Sequence, residues 1–381
     1  VSPRASSLAR PFHARLRRTL VASYALVAGS LCVAAIAYAL QDRGERLAEA
    51  TRNASTLARA LDEHVRRTFE PVEVLLVSLA SDIRDAGGIP RLPEERLHRW
   101  LQARQAQLPQ INGMFAYGPN AVLFAGSTRY PTLRLDGSVI EYVRGHLGPL
   151  EVPLLVGRPT TSPVSGLPTI PVTHRIPGPA GAFGGVIGAT IDPRRLEAFY
   201  RDLGLAPGEG LSLLRSDGIL LIRFPLSPSF EPGVDLADTQ LFRSGVSQAK
   251  TGVARYHSRR DGVERVIAFR AIAEPPLIVT VSNDVAEVLA PWRRNTARLA
   301  GGVTGALAAL AVLLWIAMRA IEGRAADELR LNESERRFAR TMEASPESIT
   351  LAGLDDGKFI EVNPACEALY GWSREELIGH T

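Results

Sequence analysis

Two long runs without a single charge constrain this chain more than anything else in it. They are "TLVASYALVAGSLCVAAIAYALQ" (residues 19–41) and "LAGGVTGALAALAVLLWIAM" (299–318). A helix needs about 20 mainly apolar residues to cross the hydrocarbon of a bilayer, and each run supplies them. In lipid, unpaired backbone amides are costly, so each run is expected to be helical. A cleaved signal peptide is the rival reading of the first run, because "AYA" at 37–39 has the small residues of a cleavage site. The run is longer than the about 7–15 apolar residues of such signals, which favours a membrane anchor.

Orientation follows from the flanking charges. Arg4, Arg10, Arg15, Arg17 and Arg18 precede the first run, and Arg319 and Arg324 follow the second. Loops rich in Lys and Arg stay in the cytoplasm, which puts both ends there and residues 42–298 outside. Arg293, Arg294 and Arg298 pull the other way, but the first helix usually sets topology. The expectation is a two-pass protein of a bacterial inner membrane with a periplasmic segment. The net charge of +4 is accounted for by these boundary arginines, and no basic stripe is interleaved with aromatics, so no nucleic-acid partner is expected. The only cysteines are Cys32 and Cys366, so the outer segment contains no disulfide and must be held by a core.

Beyond the first run, Leu57, Leu61, Val65, Phe69, Val72, Leu76, Leu79 and Ile83 recur at intervals of three and four. That spacing predicts one apolar stripe on a long helix, kinked at Pro71. The part from Leu47 to Leu61 is the candidate seam of a homodimer, and the rest is expected to serve the core. From Gly87 onward the pattern is short strands and turns. "GMFAYGPNAVLFAGS" (113–127) reads as a hairpin, residues 139–146 as a short helix, and "TIPVTHRI" (169–176) with "GAFGGVIGATID" (181–192) as a strand pair. Asp192 then caps a helix with Pro193 in its first turn. The pattern repeats: hairpins around Asp217-Gly218 and Asp261-Gly262, a strand "LIVTVSND" (277–284), then a helix into the second run. The predicted fold class is α+β: a long helix and two tandem modules between two transmembrane helices.

These pieces in this order resemble the double-Cache sensor domain of bacterial transmembrane receptors, especially those attached to diguanylate cyclases. The resemblance rests on "TIPVTHRI", "GAFGGVIGATIDPRRLEAFY", "LLRSDGILLIRFP", "DTQLF", "GVERVIAFRAI" and "VAEVLAPWRR". It implies PAS-like modules at about 87–200 (membrane-distal) and 205–290 (membrane-proximal) within a sensor domain at 42–298. Such domains often carry Asp-Arg-x-Tyr-Phe where this chain has "VIEYV" (139–143), keeping Tyr142 and losing the Asp-Arg pair.

A concave sheet face of such a module forms an apolar pocket with a few aimed polar groups. In the distal module the candidates are Tyr117, Arg134, Tyr142, Arg144, His146, Arg158, Thr173, His174, Arg175 and Asp192. The arginines suit a small anionic ligand, because a guanidinium binds a carboxylate through two parallel hydrogen bonds. Taken singly, each is better explained as a solvated arginine or a capping aspartate; it is the set that implies a ligand. No nucleophile elbow, zinc-binding His pair or phosphate loop occurs in the outer segment, so no catalytic residue, metal or cofactor is expected there.

Past the second run, residues 319–340 carry a charged helical pattern expected to form a signalling linker. Residues 341–381 end in "FIEVNPACEALYGWSREELIGHT", which resembles the N-terminal part of a PAS domain, with Asn363-Pro364 opening a helix. Less than half of that fold is covered, which leads us to expect further strands beyond Thr381. Cys366 stands where such domains often have Phe, and His380-Thr381 replaces the Arg-Asn that precedes the photoreactive Cys of flavin-binding relatives, so no flavin is expected. The resemblance implies the sensory half of a dimeric receptor whose output is first of all a diguanylate cyclase, with or without a phosphodiesterase domain; the alternatives are a histidine kinase and a non-enzymatic chemoreceptor signalling domain. Residues 1–18 would be the cytoplasmic N-terminus.

Overall fold

The computed structural model describes residues 5–148, 154–246 and 249–381; Arg4 lies outside them. The chain divides into two units, residues 39–296 and the pair of segments Val1–Tyr38 and Ala297–Thr381.

Helix α1 (Ala5–Asp85) contains both the first apolar run and the stripe that follows it. It stays helical through Pro71, the site of the expected kink. Proline removes one hydrogen bond. Phe69 and Val72 on either side are fully buried, and that packing holds the helix across the gap. From Leu61 to Ile83 the stripe is at most 1% exposed, and it meets Met114, Ala116, Ile187, Ala189 and Ile191 in one core. The stretch assigned above to a dimer seam also faces its own chain. Leu61 is in that core, Leu57 packs on it, and Leu47 packs against Val266, Val285, Leu289 and Trp292.

After α2 (Glu94–Gln105) come β1 (Ile111–Tyr117), β2 (Leu123–Gly126), α3 (Glu141–Arg144), β3 (Leu154–Val156), β4 (Thr160–Thr161), β5 (Pro168–Pro177), β6 (Phe183–Ile191) and α4 (Pro193–Asp202). Their strands form an antiparallel sheet in the order β2-β1-β6-β5-β3, with β4 beside β5. A second sheet follows from β7 (Glu209–Arg215), β8 (Leu220–Phe224), β9 (Thr251–His257), β10 (Glu264–Ile272) and β11 (Leu277–Asp284), in the order β8-β7-β11-β10-β9. The connectivity matches that of the first: a hairpin at the edge, then the last strand laid beside the first. Both Asp-Gly hairpins form where the turn chemistry places them.

Each sheet leaves through an acidic cap. Asp192 accepts a hydrogen bond from the Arg194 amide at 3.0 Å and starts α4. Asp284 accepts one from the Ala286 amide at 2.7 Å and starts α5 (Val285–Val288), followed by α6 (Ala290–Ala344). One face of each sheet packs on the α1 stripe. The opposite faces carry separate apolar clusters, one around Tyr117 and Val143 and one around Phe230 and Phe269.

The other unit holds the apolar stretches of α1 and α6. Each is long and apolar enough to cross a membrane, and none of either stretch is buried within the chain. It also contains β12 (Thr350–Ala352) paired with β13 (Phe359–Val362), then α7 (Pro364–Tyr370) and α8 (Arg374–Leu377). The Asn363 carboxamide caps α7 by accepting from the Cys366 amide at 3.1 Å, and Cys366 is buried.

Candidate ligand site

Side chains alternate across a strand, so one face of the first sheet presents Phe115 and Tyr117 from β1, Val186 and Gly188 from β6, and Thr173 and Arg175 from β5. Helix α3 lies over this face. Gly188 is required here: a Cβ at that position would sit 2.3 Å from the Phe115 ring. The ring lies 5.7 Å from Tyr117, edge-on, and 5.6 Å from Tyr142, tilted.

Burial pushes the pKa of both the Tyr117 and the Tyr142 phenol up, so both stay protonated. Thr173 Oγ1 lies 3.1 Å from the Tyr142 carbonyl and 3.3 Å from that of Leu155. Its proton is thereby committed, and its oxygen accepts from Nε2–H of the fully buried His146 at 2.9 Å. Arg175 donates to the carbonyls of His146 (2.7 Å) and Gly148 (3.2 Å), with its guanidinium over the Phe183 ring. A cleft of about 40 Å³ runs between Asn112, Phe115, Thr132, Ser162 and Thr190, roughly enough for one water.

Five of the ten candidates are thus gathered: Tyr117, Tyr142, His146, Thr173 and Arg175. The other five stand elsewhere. His174 follows Thr173 and so faces the opposite side of the sheet, where Nδ1 meets the Arg175 carbonyl at 2.7 Å and burial lowers its pKa. Arg134 reaches across to α2, pairing with Glu94 and donating to the Phe124 carbonyl at 2.8 Å. Arg144 is exposed on α3. Asp192 is occupied as the α4 cap, with Arg194 bound to both its oxygens and holding its carboxyl below the usual range. Arg158 pairs with Glu141 at 3.7 Å.

Glu141 is one of the residues that sequence reasoning missed. Its carboxylate also accepts from Arg215 Nη1 at 2.8 Å, and the same nitrogen donates to the Val156 carbonyl at 3.0 Å. Arg215 lies at the end of β7 and is held from the other side by Asp217. One guanidinium of the second sheet is therefore fastened to the helix covering the first. Among the described residues, no group of three His, Cys, Asp or Glu side chains could hold a metal ion.

Comparison with known proteins follows the same lines. A profile of the dCache_1-like family, a histidine kinase sensor domain, matches residues 194–282, and a PAS domain profile matches residues 336–381. The solved extracellular domain of rpHK1S-Z16, assigned as a histidine kinase, is 31% identical, with 65% of this chain and 99% of that one aligned at a TM-score of 0.57. The chain belongs to the dCache_1-like sensor family. The periplasmic sensory domain of the Campylobacter jejuni chemoreceptor Tlp1 shares the fold of this dCache_1-like domain. It is 16% identical with a TM-score of 0.51, over 63% of this chain and 96% of that one. No curated protein matches the chain.

Proposed function

We propose that this dCache_1-like chain is the input portion of a two-pass membrane receptor. A small extracytoplasmic ligand binds the α3-covered face of the first, membrane-distal module and changes how α3 lies on the sheet. The observation that carries this reading is the fastening of α3 to the second sheet through Glu141 and Arg215. Any displacement of α3 loads Arg215 at the end of β7. Strand β7 pairs along its length with β11, and β11 runs through its Asp284 cap into α5 and then the apolar helix α6. The sequence of events is a two-state equilibrium biased by unequal ligand affinity for the two positions of α3.

In the proposed orientation the arginines beside the apolar runs stay in the cytoplasm and the double module lies in the periplasm. The PAS segment then receives the displacement on the cytoplasmic side. The relatedness to the rpHK1S-Z16 domain supports a histidine kinase as the output in preference to a diguanylate cyclase.

The ligand most compatible with two phenol donors, a buried imidazole and Arg175 is a small molecule with an anionic or carbonyl group. The test is thermal-shift titration of the purified chain with amino acids and small carboxylates. Tyr142→Ala and Arg175→Ala should weaken the stabilising ligand at least about tenfold, while His174→Ala, on the opposite face, should not. Equal affinity in all three variants would remove this face from consideration.

A further inference from the structure

The corresponding face of the second sheet has a different character. Ser212 and Arg223 are paired across β7 and β8, and Tyr256 and Arg265 across β9 and β10. Phe230 lies over them, with the Arg223 guanidinium 4.5 Å from its ring centre and that of Arg265 at 5.7 Å. Two like charges thus share one aromatic ring in a largely dry place.

Their neighbours treat them unequally. Arg265 is matched: Asp261 accepts from its two terminal nitrogens at 2.9 and 2.6 Å. Both Asp261 oxygens are thus used; burial pushes its pKa up, but the bonds and charge of Arg265 outweigh this and hold it down at about 2. Arg223 has one hydrogen bond, Nη1 to Ser212 Oγ at 3.2 Å. Its Nε is fully buried with no partner, and among the described residues no carboxylate pairs with it. Burial and then the charge of Arg265 lower its pKa, while Tyr256 and Asp261 offset part of that effect. The local account is two cations against one carboxylate. A ring contact compensates a guanidinium far less than its lost hydration costs, so the arrangement has room for one more negative charge.

A cleft of about 400 Å³, the size of a small-molecule pocket, adjoins the ring on which Arg223 stacks; Arg223 and Arg265 lie just outside its lining, so a bound carboxylate would reach Arg223 past Phe230. Phe230 and Tyr256 line it, and Leu236 and Leu241 add apolar wall. The cleft rim carries Arg259 and Arg260 as well as one acid, Asp238. We infer that the second module binds a small carboxylate, independently of the first, with its carboxylate on Arg223 and its body in the cleft between Phe230 and Tyr256. Arg223 supplies the two parallel donors that a planar carboxylate fits. The protonated phenol of Tyr256, its pKa raised by burial, supplies a third.

The experiment is a thermal-shift and calorimetric titration of the detergent-solubilised chain with acetate, propionate and succinate, against chloride and phosphate at matched ionic strength. We expect at least one carboxylate to bind saturably at millimolar concentration or below. Arg223→Met should weaken it at least about tenfold, and Arg223→Lys, which keeps the charge and loses the fork, by a smaller factor. The Lys variant also covers the case in which the Met variant does not fold. Tyr142→Ala, on the helix that covers the first sheet, should leave this binding intact. The inference is overturned if no carboxylate binds saturably, if phosphate binds in its place, or if Arg223→Lys binds as the wild type does. Loss in Tyr142→Ala with retention in Arg223→Met would assign the binding to the first face and overturn it equally.

Discussion

Cutting the link between the sheets is the most informative perturbation. Arg215 is 14% exposed and Glu141 36%, at 2.8 Å. Fully exposed pairs yield about 0–1 kcal/mol, and charge-assisted bonds with a buried partner about 1.5–3 kcal/mol. This pair lies between, and Asp217 keeps Arg215 partly satisfied when Glu141 is lost, so a coupling of about 1 kcal/mol is expected. The assay is a double-mutant cycle of Glu141→Gln and Arg215→Met, read by urea unfolding of residues 39–296, the unit that encloses its own core. An internal control is the pair Arg67–Glu63, 77% and 59% exposed on one helix, which should couple by only about 0.3 kcal/mol. A Glu141–Arg215 coupling no larger than that control would refute the claim that α3 is mechanically tied to the second sheet.

Other consequences are simpler to check. Asp192→Ala should destabilise the same unit by about 1 kcal/mol through loss of the α4 cap, and Asp192→Asn should recover most of it. Gly188→Ala places a methyl 2.3 Å from the Phe115 ring and should cost about 1–3 kcal/mol, with a changed near-ultraviolet signal as the ring moves. His64 stacks on Phe199 at 3.6 Å, and burial, then Arg67, lowers its pKa; burial lowers that of His174 too. The unfolded state then binds more protons below its own pKa of about 6.5, so stability is full above that pH and falls as pH drops toward the folded values. His64→Phe should flatten the melting temperature between about pH 7.5 and 5.5, and an unchanged slope would count against this assignment.

Much of the framework could be read from the residues because its causes are local. The Asp-Gly turns at 217 and 261 fix two hairpins, and the spacing from Leu61 to Ile83 fixes the buried side of α1. Asp192 and Asn363 cap helices for reasons within three residues of themselves. Site chemistry was less legible because it depends on sides and on distant partners. Thr173 and His174 are neighbours on opposite faces, and only strand pairing decides which one meets His146. Glu141 and Arg215 are 74 positions apart, and no local pattern marks them as a pair. Arg223 sits in the apolar run "LLIRF", where nothing local signals a guanidinium stacked on Phe230. The Leu47–Leu61 stretch shows the same limit: its periodicity shows that it packs, and only the fold shows that Leu57 and Leu61 meet the core of their own chain.

The central claim, that the double module senses the space across the membrane from the PAS segment, is open to one direct measurement. Val139 and Leu354 are both exposed, the first beside α3 and the second in the turn between β12 and β13. With Cys32 and Cys366 replaced by Ser, Val139→Cys and Leu354→Cys are labelled separately with a membrane-impermeant maleimide in intact spheroplasts. The account predicts that Cys at 139 reacts before lysis and that Cys at 354 reacts only after it; the reverse pattern, or reaction of both only after lysis, would contradict it.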